Sequence, residues 1–241
     1  MLDLQRLHGI SLDLDDTLWP VWPAIGRAEQ VLLAWLGEHA PRTRAMFPTT
    51  QSLRALRQAV ERERPDLGHD LSGLRRESIR LALARAGEDP ALAEAAFDAF
   101  FAERQNVELF DDVHAALAAL SARLPIVALS NGNADVHRTG IGAYFKGAIH
   151  AREFGVGKPD VRIFEAAARA LGLGVGQVLH IGDDPLLDVQ GAHDAGMQTV
   201  WVNRGGQAWA LDVAPTLEVA TLADLVQALR PLLDEDAGLN G

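Results

Sequence analysis

Three short apolar runs along this chain each stop abruptly at a polar cluster. Ile10-Ser11-Leu12 leads into Asp13-Leu14-Asp15-Asp16-Thr17-Leu18. Pro125 to Leu129 ends in Ser130-Asn131-Gly132-Asn133, and Val178 to Ile181 ends in Gly182-Asp183-Asp184-Pro185-Leu186-Leu187-Asp188. Runs of this length between polar stops predict buried parallel strands. The polar clusters then lie at strand C-termini, where open α/β sheets bind ligands.

Between the first and second runs the period changes. Residues 23 to 106 show helical periodicity and almost no strand signal. Pro23 opens a predicted helix over Ala24 to His39, with Ile25, Ala28, Val31, Leu32 and Trp35 on one face. Thr49 or Thr50 caps a second through Arg62, and Ser72 a third through Ala86 that stops at Gly87. Asp89-Pro90 starts a fourth, running to about Arg104. Four amphipathic helices suggest a small bundle inserted after the first strand.

From residue 108 onward strand and helix signals alternate. Helices are expected over Asp112 to Arg123, Asp160 to Leu171, Asp184 to Gly196 and Ala220 to Leu233. Strands are expected over Ala148 to Ala151 and Thr199 to Val202, and Asp234 to Gly241 reads as a frayed tail. Alternating βα units imply a Rossmann-like α/β fold, a parallel sheet with helices on both faces. The predicted division is a core of residues 1–18 and 108–241 and a helical insert of residues 19–107.

Composition narrows the function. The 241 residues are 48% hydrophobic and 23% charged, ordinary for a globular protein. Without cysteine, disulfides, thiolate chemistry and a cysteine zinc site are excluded. No run approaches a membrane span, and the N-terminus lacks a basic region followed by an apolar stretch, so a cytoplasmic protein with no membrane partner is expected. The net charge of -11 repels nucleic acid, and it obliges any phosphate site to supply its own local cations.

Packing does not explain Asp13, Asp15 and Asp16 together, because crowded carboxylates repel. A divalent cation would relieve the repulsion, and one carboxylate could serve as a nucleophile. With Ser130, the Lys158 of Gly157-Lys158-Pro159-Asp160, and Gly182-Asp183-Asp184-Pro185-Leu186-Leu187-Asp188, the set resembles the haloacid dehalogenase (HAD) superfamily of phosphatases. The resemblance covers nearly the whole chain. It implies a Mg2+-dependent phosphomonoester hydrolase with a helical cap, acting on a small phosphorylated metabolite as a monomer or homodimer.

The resemblance also implies roles. Asp13 would attack phosphorus and form an aspartyl-phosphate. Asp15 would act as general acid and then general base, and its backbone carbonyl would join Asp13 and Asp183 around the metal. Thr17 would brace the loop. Ser130, the Asn131 N–H and Gly132 would receive the phosphoryl oxygens, and Lys158 would neutralise the developing charge beside a helix that starts at Pro159. Asp188 would pair with Lys158 or order a metal water. Asp184 would cap a helix or accept in the outer shell, the cap being favoured. Asp16 reads as a turn residue, His180 as packed in the fold, and His193 as exposed.

Trp19 and Trp22 follow the first cluster directly. They could stack on a flat ring such as a pyrimidine or flavin, or simply pack. The first and last motifs are similar to a HAD subgroup that includes phosphatases of FMN and of the phosphoribitylaminopyrimidine of riboflavin synthesis; a nucleotide is a further candidate. Competing readings are a sugar phosphomutase, a haloacid dehalogenase, a receiver domain, and a non-catalytic phosphate-binding regulatory protein. Asp15 argues against the dehalogenase, whose chemistry lacks an acid two residues after the nucleophile.

Overall fold

A computed structural model describes residues 2–234. Six parallel strands form one sheet in the order β3-β2-β1-β4-β5-β6. They are β1 (Gly9–Leu12), β2 (Ile126–Ser130), β3 (Gly147–His150), β4 (Val178–Gly182), β5 (Gln198–Val202) and β6 (Leu217–Val219). The order reverses at β1, which pairs with β2 on one side and β4 on the other. A crevice opens at such a reversal because the flanking connections leave in opposite directions.

Two compact units divide the chain. The first comprises Met1–Pro20, Leu109–Gly132 and Val136–Gly241; the second comprises Val21–Glu108 and Asn133–Asp135. In the first unit, every residue of β1, β2 and β4 is buried, as strands covered on both faces require. Val127 and Leu129 pack with Ile163, Phe164 and Ala167, while Ile126 and Ala128 alternate to the opposite, equally buried face.

The second unit contains α1 (Val21–His39), α2 (Pro41–Met46), α3 (Thr50–Glu63), α4 (Leu71–Arg85) and α5 (Ala93–Arg104). Its core joins Leu32, Leu36, Leu53, Leu56, Ile79, Leu83, Phe97 and Phe100. Each such buried side chain contributes about 1.5–3 kcal/mol, so a charge at Leu36 would unfold the unit. Buried Glu29 accepts from Arg54 at 2.6 Å and Arg75 at 3.3 Å, and Arg75 also lies over the Phe100 ring. Asn133 joins this unit through a 3.1 Å bond from its amide to Ser72 Oγ.

Several boundaries differ from expectation for local reasons. The helix α1 begins at Val21 rather than Pro23, because the first-turn N–H groups have no intrahelical acceptor and a proline costs nothing there. Asp70, not Ser72, caps α4 by accepting from Gly73 N at 2.8 Å. The short helix α2 and the three-residue edge strand β6 were not anticipated, since neither is long enough to show a period.

In the first unit, the remaining helices are α6 (Val113–Ser121), α7 (Ala151–Phe154), α8 (Val161–Ala170), α9 (Gly191–Asp194), α10 (Leu222–Ala228) and α11 (Arg230–Leu233). The last two replace a single expected helix. Pro231 has no N–H to continue the ladder, so the chain restarts there. Of the expected tail, residues 235–241 lie outside the described residues.

Candidate active site

The C-terminal ends of β1, β2 and β4 carry the site. Asp13 stands one residue beyond β1, and its N–H donates to Ile181 O at 2.9 Å, so the sheet ladder fixes its backbone. The residue is 6% exposed, and its carboxylate accepts from Lys158 Nζ through one oxygen and from Thr17 Oγ1, at 3.3 Å, through the other. Thr17 Oγ1 also lies 3.1 Å from Asp183 Oδ1, so one hydroxyl bridges the two carboxylates. Trp201 Nε1 donates to the Asp183 carbonyl at 2.8 Å and holds that corner from β5.

Lys158 is buried between Asp13 and Asp188, with Nζ 2.5 Å from Asp188 Oδ1. Asp188 Oδ1 also accepts from His180 Nε2 at 3.1 Å, and Oδ2 accepts from Asp184 N at 3.0 Å. A side chain at Gly182 would collide with the Asp188 carboxylate, which explains the glycine without invoking an unusual φ. Asp184 caps the following helical segment, accepting from Leu186 N at 2.8 Å and Leu187 N at 2.7 Å. That segment, Pro185–Gln190, winds more widely than an α-helix and turns Asp188 back toward Lys158.

Burial pushes the Asp13 carboxyl well above its ordinary pKa; Asp188 and Asp183 add to the rise and Lys158 opposes it. For Asp183, burial and then the charge of Asp188 raise the value to about 7, against the Thr17 hydrogen bond. Burial would also raise Asp188, but Lys158 and then His180 outweigh it and hold the group below its usual range. At Lys158 the carboxylates of Asp13 and Asp188 overcome burial and keep the ammonium protonated. Burial lowers His180, so the ring is neutral. Its Nε2 then carries the proton toward Asp188, and Nδ1 accepts from Ser11 Oγ at 3.0 Å.

The ligand atoms of Asp13, Asp183 and Asp188 all lie within 4.8 Å of one another. Three carboxylates against one lysine leave two uncompensated charges, which one divalent cation neutralises. An all-oxygen donor set suits a hard ion such as Mg2+. Lys158, His180 and the Asp184 N–H already occupy Asp188, so Asp13 and Asp183 are the carboxylates available for direct ligation.

Ser130, the last residue of β2, is buried, and its Oγ accepts from Gly132 N at 2.9 Å. Asn131 turns its side chain onto the backbone of Lys158 and makes two bonds there. A side chain at Gly132 would collide with Asp15 Oδ2. Asp15 is half-buried, and its Oδ1 accepts from Trp19 Nε1 at 2.8 Å. Asp16 adopts a left-handed φ of 59°, which lets the loop fold back.

One sequence-based expectation is corrected, and two are sharpened. Of the two readings open for the tryptophans, Trp19 follows the packing one, being fully buried; Trp22 is 66% exposed with the Arg54 guanidinium over its ring. Pro159 does not open α8, because Asp160 is its cap, accepting from Arg162 N at 3.0 Å. His180 is packed in the fold as expected, and it also bonds Asp188. Arg204 was missed altogether. It donates to the Thr17 carbonyl at 3.2 Å and to both oxygens of Asp112. No local pattern around Arg204 announces this; only a search for an arginine after the fifth strand could have raised it.

Comparison with known proteins places the chain in a family. The haloacid dehalogenase-like hydrolase family model matches residues 7–196. The chain is 34% identical over 234 residues to 5-amino-6-(5-phospho-D-ribitylamino)uracil phosphatase YigB of Escherichia coli (strain K12), covering 94% of this chain and 98% of that protein. It is 35% identical over 160 residues to a phosphoserine phosphatase of Thermus thermophilus, 64% of each. Among solved structures, a 2-haloacid dehalogenase from Pseudomonas syringae pv. Tomato DC3000 superposes with a TM-score of 0.86 at 36% identity, covering 93% of this chain and 99% of that one.

Proposed function

The chain belongs to the haloacid dehalogenase-like hydrolase family and is a phosphoric monoester hydrolase, and from that premise we propose a Mg2+-dependent reaction through an aspartyl-phosphate on Asp13. The observation that carries the reading is the Lys158 ammonium shared by Asp13 and Asp188, with Asp183 beside them. It sets a buried, oriented carboxylate beside a fixed positive charge, which favours a nucleophile and an incoming phosphoryl group alike.

Asp13 attacks phosphorus as the ester oxygen departs, and Asp15 gives that oxygen its proton. Water then attacks the aspartyl-phosphate, Asp15 takes the water proton, and Asp13 is released with inorganic phosphate. Ser130, Asn131 and Gly132 hold the phosphoryl oxygens during both displacements, and Lys158 balances their charge. Mg2+, held by Asp13, Asp183 and the Asp15 carbonyl, would neutralise the phosphoryl oxygens and the acidic cluster. The helical second unit acts as the cap that selects the leaving group.

Similarity to the Escherichia coli protein makes a phosphorylated ribitylaminopyrimidine the leading substrate, with FMN next. The test is a panel of phosphate esters with Mg2+, run beside Asp13→Asn. Hydrolysis by the wild type that disappears in the variant and in EDTA supports the reading; full activity in the variant sinks it. Likeness to the Pseudomonas syringae 2-haloacid dehalogenase raises dehalogenation as a second reading. Asp15 counts against it, and chloride release from 2-chloropropionate would overturn that judgement.

A further inference from the structure

We infer that Trp19 is a positioning residue, whose indole N–H orients Asp15 as the acid that protonates the leaving oxygen. The inference rests on the phosphatase reading above.

The loop after β1 is built to bring these two residues together. Asp16 reverses the chain at its left-handed φ of 59°. Leu18 N then donates to Leu14 O, and Asp16 N to Trp19 O, each at 2.8 Å. Asp15 and Trp19 are thereby bridged through the backbone as well as through the side chains.

The indole has a definite partner. A ring 0% exposed must hydrogen-bond its N–H or bear a desolvation cost, and here the acceptor is Asp15 Oδ1 at 2.8 Å. Packing alone would be satisfied by phenylalanine or leucine, which carry no donor.

The consequence falls on the second oxygen of Asp15. With Oδ1 held by a fully buried ring, Oδ2 is directed to Gly132, where even a β-carbon would clash. Gly132 in turn bonds Ser130 Oγ, so Oδ2 points into the loop that receives the phosphoryl group. A carboxylate turns freely about its terminal torsion. A general acid must instead present one oxygen to one reacting atom. Trp19 removes that freedom without touching the substrate.

Leaving-group dependence separates positioning from packing. An ester with a good leaving group needs little proton donation; a poor one needs much. The measurement is kcat/KM, which reports the step that expels the leaving group, for p-nitrophenyl phosphate, phenyl phosphate and FMN. Trp19→Phe is compared with wild type and with Asp15→Asn, which marks the full loss of the acid. Trp19→Phe should lose less than about twofold on p-nitrophenyl phosphate and about tenfold on the other two esters.

Replacing Trp19 by benzothienylalanine keeps the ring volume and removes the N–H, and it decides the matter if Trp19→Phe fails to fold. It should show the same selective loss. Equal losses on all three esters, or an unchanged benzothienylalanine protein, would overturn the inference. Wild-type protein that hydrolyses neither these esters nor the phosphorylated ribitylaminopyrimidine would instead overturn the phosphatase reading, and the inference with it.

Discussion

Asn131 and Lys158 hold each other by two reciprocal hydrogen bonds. The Lys158 N–H donates to Asn131 Oδ1 at 2.7 Å, and Asn131 Nδ2 donates to the Lys158 carbonyl at 2.9 Å. The loop after β2 is thus clamped to the loop before α8, and the clamp sets where the ammonium enters the site. A side chain at Gly157 would strike the same amide, so the approach depends on that glycine too.

Asn131→Ala should therefore lower kcat by about tenfold while KM changes less, because the lysine is misplaced rather than lost. Two such bonds contribute on the order of 1–3 kcal/mol to stability, visible as a lower denaturation midpoint. An unchanged kcat in a destabilised protein would show that the clamp serves folding alone.

Lys158→Met should abolish turnover and also change stability. Removing one partner of a buried ion pair costs about 3–5 kcal/mol. Here the loss exposes Asp13 and Asp188 to each other, both buried. Urea unfolding should show the loss, and the loss should shrink as pH falls, because Asp13, whose pKa burial already raises, takes up a proton to relieve the repulsion.

Asp183 predicts the pH dependence of metal binding. Its folded pKa of about 7 exceeds the unfolded value, so the metal-free folded state binds the extra proton and loses stability as pH rises through that range. Mg2+ competes with that proton. Its affinity, followed by the shift in Tm against Mg2+ concentration, should rise between pH 6 and 8 and level off above it, a window of about two units around the group. Affinity that is flat over this range would remove Asp183 from the ligand set.

Arg204 clamps the Thr17 carbonyl and Asp112 together, and Asp112 Oδ2 accepts Leu222 N at 2.6 Å, where α10 begins. Thr17 is the residue that bridges Asp13 and Asp183. Arg204→Lys keeps the charge but not the fork. It should weaken Mg2+ binding by about tenfold, measured by calorimetry, with a smaller change in the fold's Tm than Arg204→Ala.

The polar residues of the candidate site were legible wherever they are contiguous. Asp13, Thr17, Ser130, Lys158, Asp183 and Asp188 lie in short segments at strand ends and helix starts, and a strand of buried residues followed by polar ones is visible without coordinates. The strands β1, β2 and β4 and the caps at Thr49 and Asp184 were readable because each depends on residues within a few positions of one another. Fold class followed from the alternation of such segments.

Tertiary structure decided the rest, because the partners are far apart in the chain and single residues carry no period. Arg204 meets Thr17 across 187 positions, and His180 meets Ser11 across 169. Trp19 is the sharper case: its position four residues after Asp15 was plain, but a left-handed turn at Asp16 had to be formed before the indole could reach the carboxylate. The sequence determined which polar side chains stand at the strand ends; packing determined which of their atoms face one another, since direction is settled only when buried donors and acceptors must all find partners.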